Sequence, residues 1–208
     1  MQTIVRMAAI LGLTILVPAT GTIAQPIDAA ALMTPGPLGD KTLGDPNAPV
    51  AVIEYASLTC SHCGNFHRTT FGALKEKYID TGKVHFVLRE FPLDQLALAA
   101  AMVARCAPEE DYFSVVDSMF TDQNKWAYVE QPGAALLELV KPHGFTEETF
   151  RACLNDEKLL EGIVAVAKRG DDLGVTGTPA FFVNGENHGG EMTIEQFDAV
   201  LEPLLTGN

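Results

Sequence analysis

Cys60-Ser61-His62-Cys63 holds the residues of this chain best suited to chemistry, two cysteines three positions apart. At the start of a helix such a pair can face each other within one turn and close a small disulfide. Cys60 then lies at the helix N-terminus, where unpaired backbone N–H groups and the helix dipole favour an anion. A thiolate stabilised there has a lowered pKa and is both a nucleophile and a good leaving group. His62, between the cysteines, can add charge or a hydrogen bond to that thiolate. Favouring the reduced form in this way makes the disulfide more oxidising. Cys63, one turn further in, reads as the buried resolving thiol. Two other uses of the pair are weaker. A structural zinc site needs four ligands, usually from two such pairs, and Cys106 and Cys153 do not form a second one. A purely structural disulfide closing so small a loop adds little through chain entropy.

Two further features bear on the same chemistry. Glu54 stands six residues before Cys60 in an otherwise apolar run. It either faces solvent or is a buried carboxylate near Cys63, relaying a proton to or from that thiol, with Lys83 as a charge partner. Thr178-Pro179 follows a glycine and precedes an apolar run; the proline either starts a strand or forms a cis peptide bond in a tight turn.

The elements around these residues follow from patterning. Val50 to Tyr55 is a short β-branched run, read as a buried strand ahead of the cysteines. Phe66, Thr70, Leu74 and Tyr78 recur at helical spacing after them, and Gly82 closes that helix. Val84 to Arg89 is again strand-like. From Leu93 to Gly174 the pattern is helical throughout, with segments at Leu96–Ala107, after Pro108, and at Pro132–Lys141, Thr146–Asn155 and Asp156–Leu173. The Thr146 helix lacks a full capping box, because Thr149 stands where an acid or amide is expected. Ala180 to Val183 returns to strand, Asn184-Gly185 signals a hairpin, and Thr193 caps a last helix. The order β, helix, β, helical block, β, β, helix predicts an α/β fold with an inserted helical subdomain.

The first residues set the compartment. Arg6, an apolar run to Val17, Pro18, and the small residues Thr22 and Ala24 before Gln25 have the layout of a cleaved secretory signal. The run falls short of the roughly 20 apolar residues that span a bilayer. The expected divisions are a signal at 1–24, a lead-in at 25–42, a first part of the sheet domain at 43–92, the helical subdomain at 93–174 and the remainder at 175–208. Export places all four cysteines where disulfides persist. Cys106 and Cys153 are either buried thiols in helix cores or a structural disulfide stapling two helices, which export favours. A net charge of −13 argues against a nucleic-acid partner, because phosphate binding needs a face rich in lysine and arginine. His67, His85, His143 and His188 lack metal-ligand spacing and read as surface or packing residues; Trp126 reads as core. No metal and no cofactor is expected.

The Gly44-Asp45-Pro46-Asn47-Ala48-Pro49-Val50 segment, Glu54, the dithiol motif, the helical insertion and Gly177-Thr178-Pro179-Ala180-Phe181-Phe182-Val183 together resemble the DsbA-like periplasmic disulfide oxidoreductases over residues 40–206. That resemblance implies a thioredoxin fold with an inserted all-helical subdomain, Cys60 as the attacked cysteine and Cys63 as the resolving one. It implies that Thr178-Pro179 is a cis-proline loop holding substrate peptide. The implied substrates are reduced, unfolded secreted polypeptides, with reoxidation by a DsbB-like quinone-linked membrane protein; a monomer is expected. Two departures carry weight. The best-known oxidases have proline at the Ser61 position and valine at the Thr178 position, and threonine there also resembles the isomerase and reductase branch. An isomerase or reductase working with Cys60 reduced is therefore one alternative; a non-redox peptide- or metal-binding module is another.

Overall fold

Val50–Ala56 is buried along both faces, so it must lie inside a sheet with layers on either side. In the computed structural model, which describes residues 32–207, this strand, β2, pairs parallel with β3 (Val84–Glu90) and antiparallel with β4 (Ala180–Val183). β1 (Lys41–Leu43) and β5 (Glu186–Gly189) form the edges, giving the order β1-β3-β2-β4-β5. Asn184 and Gly185 both take positive φ, 47° and 96°, as the two-residue turn between β4 and β5 requires. The signal expected at 1–24 and the lead-in up to residue 31 lie outside the described residues.

Alternation along β2 divides the core. Val50, Val52, Glu54 and Ala56 share one face, where α1 (residues 61–79) and α8 (Ile194–Thr206) supply Phe66, Leu74, Phe197 and Leu201. Ile53 and Tyr55 point the other way, into a second cluster with Val87, Phe182, Leu32 and Val166. Helix α1 begins at Ser61 and is α-helical over Ser61–Phe66 and Gly72–Leu74, with π-helical turns over His67–Phe71 and Lys75–Ile79. Phe66, Thr70, Leu74 and Tyr78 are all buried. An even spacing of four drifts around a helix of 3.6 residues per turn; the wider π turns keep this column facing the sheet.

Between β3 and β4 the described residues are helical: α2 (Gln95–Cys106), α3 (Tyr112–Thr121), α4 (Gln123–Trp126), α5 (Pro132–Val140), α6 (Glu147–Leu154) and α7 (Glu157–Asp172). This is the α/β fold with a helical insertion that the sequence predicts. Asp94 and Asp156 cap α2 and α7, their side chains accepting from Ala97 N and Leu159 N. Helix α7 lies within the expected subdomain at 93–174, yet its Val166 also covers the second face of the sheet.

Two local expectations are corrected. The lead-in at 25–42 runs into β1, which hydrogen-bonds along β3 with Lys41 opposite Leu88. Three residues with one apolar side chain carry no strand pattern; what holds them is tertiary, a buried Lys41 paired with Glu109 over the Tyr112 ring. The Thr146 helix does have a reciprocal capping box, because the Thr149 hydroxyl accepts from Thr146 N at 2.9 Å in place of a carboxylate.

Candidate active site

Cys60 occupies the N-cap of α1 in extended conformation, its N–H bonded to Ser57 O at 3.0 Å. Its sulfur is partly exposed and donates to Thr178 O at 3.2 Å. The Thr178–Pro179 peptide bond is cis. Cys63, in the first turn of α1, is fully buried. Both cysteines are thiols in this structure.

The environment drives the two thiols in opposite directions. Cys60 falls from its ordinary 9.0 to about 5, chiefly through the hydrogen bond from the Cys63 thiol. Partial burial opposes this, and Thr178 and the N–H groups of Cys63 and His62 add to it. Cys63 is pushed well above 9.0, first by burial, then by its bond to Cys60 and by the charge of Glu54. Among the described residues the Thr178 hydroxyl is buried without a hydrogen-bond partner, a donor that a Cys60 thiolate can engage.

The side chain of His62 does not serve the thiolate. Its Nδ1 bonds Glu191 Oε2 at 3.1 Å and its ring is largely exposed, so only its backbone N–H acts on Cys60. Glu191 also accepts from Asn65, tying the loop before α8 to α1.

Glu54 is buried on the α1 face of β2, and its partner is not Lys83. That ammonium lies over the Tyr78 ring. Glu54 Oε2 instead meets His67 Nε2 at 3.1 Å. His67 packs in the core, as the sequence reading has it, stacked on Phe120, and in addition reaches the Glu54 carboxylate. The usable signal was its position four residues after Cys63, on the same helical face.

Five more residues belong to the site without any motif to mark them in the sequence. Gln123 Nε2 donates to Leu58 O and Cys60 O, both at 2.9 Å, from a buried position. A Cβ on Gly64 would stand 2.0 Å from Gln123 Oε1, so glycine is what lets the amide reach the loop. Tyr128 donates to Thr59 O at 2.8 Å, and Thr59 donates to Asp94 at 2.6 Å. The helical insertion therefore fixes the residues leading into Cys60.

A groove of about 370 Å³ runs past the cis-proline, lined by Thr176, Gly177, Pro179, Ala180, Gly189 and Gly190. Cys106 and Cys153 are joined by a disulfide that ties the end of α2 to α6, with Cα atoms 6.1 Å apart. Among the described residues no cluster of His, Cys, Asp and Glu could hold a metal ion, and no helix is long and apolar enough to cross a membrane.

A family model described as thioredoxin matches residues 38–203. The crystal structure of Wolbachia pipientis α-DsbA1 superposes with a TM-score of 0.78 at 38% identity, covering 86% of this chain and 97% of that one. BdbD from Bacillus subtilis, at 20% identity and a TM-score of 0.73 over 81% of this chain and 94% of its own, shares the fold. A Rickettsia typhi protein named as a candidate protein-disulfide oxidoreductase is 37% identical over 78% of this chain and 62% of its own length. The chain thus spans about three fifths of that relative, and 55% of a second from Rickettsia conorii. With α-DsbA1 matched along nearly its whole length, the chain belongs to the thioredoxin family and, within it, to the DsbA-like proteins.

Proposed function

We propose that this protein is an exported thiol–disulfide oxidoreductase that introduces disulfides into secreted proteins through Cys60 and Cys63. The observation that carries this reading is the opposed polarisation of the two thiols, one partly exposed and lowered to about 5, the other buried and raised. In the oxidised protein a substrate thiolate attacks Cys60 Sγ, and the electron pair of the S–S bond leaves on Cys63 Sγ, which takes up a proton. A second substrate thiolate then attacks the substrate sulfur of the mixed disulfide, and Cys60 leaves as a stabilised thiolate. The substrate is oxidised by two electrons and the protein holds the dithiol. A leaving group of low pKa speeds the last step and favours the reduced form, which is the direction of an oxidant and disfavours the reductase or isomerase reading.

In this account Glu54 relays the proton of Cys63, and the groove along Thr178-Pro179 holds the substrate chain, extended, beside Cys60. Substrates are reduced, unfolded polypeptides in the periplasm. The dithiol is reoxidised by a membrane protein of the DsbB-like, quinone-linked kind, and the protein acts as a monomer. The Cys106–Cys153 disulfide is structural. The test is refolding of a reduced, disulfide-containing protein in the presence of stoichiometric oxidised enzyme. Cys60→Ser is expected to abolish disulfide transfer; full transfer by that variant would overturn the reading.

A further inference from the structure

Glu54 and His67 form a buried pair that the exchange chemistry of Cys60 does not itself require. The Glu54 side chain has no solvent exposure and that of His67 only 2%. One oxygen of the carboxylate, Oε2, is engaged by His67 Nε2; the other, Oε1, is buried with no hydrogen-bond partner among the described residues. Burying an ionised carboxylate in an apolar site is costly unless donors compensate, and His67 is the one hydrogen-bond partner of Glu54 among the described residues. The imidazole is stacked on Phe120, with centroids 4.0 Å apart and planes inclined by 17°, and also contacts the Phe71 ring at 4.7 Å. Cys63 lies one turn earlier on the same helix and feels the Glu54 charge.

Few other ionisable groups approach. Across β2, Glu54 faces Leu88 of β3 and Phe181 of β4. From α3, Tyr112 feels its charge, but that phenol donates to Glu90 at 2.9 Å. From α1 the facing groups are Cys63 and His67.

We propose that His67 is a positioning residue for the resolving thiol: its Nε2–H holds Glu54 Oε2, leaving Oε1 free to take the proton of Cys63. The inference rests on the reading that Cys60 and Cys63 cycle between disulfide and dithiol. When a mixed disulfide at Cys60 is resolved, the Cys63 proton passes to Glu54 Oε1, and the sulfur lone pair attacks Cys60 Sγ. The S–S bond to the bound thiol breaks, and that thiol leaves with the bonding pair as a thiolate. When substrate opens the disulfide the same proton returns from Oε1 to Cys63. Neither Glu54 nor His67 changes oxidation state. His67 supplies the donor that offsets the burial of the carboxylate and fixes which oxygen faces the thiol.

The geometry predicts a particular pH profile. A thiol raised well above 9.0 and resolving unaided would speed up tenfold per pH unit through pH 9, about 100-fold between pH 7 and pH 9, because only the thiolate attacks. With a carboxylate base, the rate follows that base and levels off below pH 9. The experiment loads reduced full-length protein at Cys60 with a chromophoric aromatic thiol, as a mixed disulfide, and follows release of that thiol by stopped flow. Wild-type release is expected to change less than about tenfold between pH 7 and 9. His67→Phe, which keeps the stacked ring but has no N–H, should restore the steep profile, and Glu54→Gln should do the same. His67→Gln, whose amide can donate from a similar place, should recover the shallow one. Alkylation of Cys60 should be unchanged in the two His67 variants. A steep profile in the wild-type protein overturns the proposal without recourse to any variant, and so does a shallow profile that persists in a folded His67→Phe. Failure of the mixed disulfide to form at Cys60 would instead refute the exchange reading on which the proposal stands.

Discussion

Thr178→Val removes one hydroxyl and little else, so it measures what that hydroxyl does for the Cys60 thiolate. The group is buried and has no hydrogen-bond partner among the described residues, while the Thr178 carbonyl already accepts from the Cys60 thiol. A hydrogen bond to a charged group contributes about 1.5–3 kcal/mol when shielded. Cys60 is only partly buried, and solvent screening reduces this to about 1 kcal/mol. At 1.36 kcal/mol per unit, the Cys60 titration should rise by roughly 0.5–1 unit from its value of about 5. Because Cys60 is depressed, its contribution to the stability of the reduced protein is complete above the ordinary value of 9.0. That contribution is lost as pH falls from there to about 5, so the valine variant loses part of it from the acid end. Destabilising the reduced form also makes the disulfide less oxidising, by about 20 mV at 30 mV per 1.4 kcal/mol. The assay is the pH dependence of Cys60 alkylation in the reduced protein, with the Cys106–Cys153 disulfide intact. A midpoint that stays in place or falls would refute this account of Thr178.

Three other perturbations probe the surroundings. Glu191→Ala removes a carboxylate and releases His62 to turn toward Cys60, so the alkylation midpoint should fall by a few tenths of a unit, in keeping with about 0.2–1 kcal/mol for an exposed pair; a rise would contradict the assignment. Gln123→Ala leaves the Leu58 and Cys60 carbonyls without their buried donor and should cost about 2–4 kcal/mol in urea denaturation. A cost below about 1 kcal/mol would mean that the insertion does not hold the loop. Replacing both Cys106 and Cys153 by alanine opens a loop of 47 residues' separation and should lower stability by about 4 kcal/mol on the chain-entropy account. Equal denaturation midpoints for the two proteins would dismiss the staple.

Much of the fold is legible in the sequence because its elements carry strong local signals. The β-branched run of β2, the aromatic run of β4, the Asn184-Gly185 turn and the cap at Thr193 all agree with their tertiary setting. β1 is not legible, since its three residues are held by Lys41 burial and by pairing with β3 rather than by pattern. At the site the dithiol is legible because spacing alone makes the chemistry. The partners of its members are not. His62 lies between the cysteines in sequence, yet its ring turns outward to Glu191, while His67, a turn beyond Cys63, points inward to Glu54. Helical phase separates these two histidines; proximity in sequence does not. Gln123 lies 63 residues from the carbonyl of Cys60 that it caps, a distance over which no local pattern extends.

The reduction potential of Cys60–Cys63 tests the central claim most directly. The protein, with Cys106 and Cys153 replaced by alanine, is equilibrated in graded glutathione buffers, and free thiols are counted by alkylation. A Cys60 lowered to about 5 against a Cys63 raised above 9.0 predicts a strongly oxidising couple, above about −180 mV. A potential near the thioredoxin value of about −270 mV would contradict the account and make the protein a reductase.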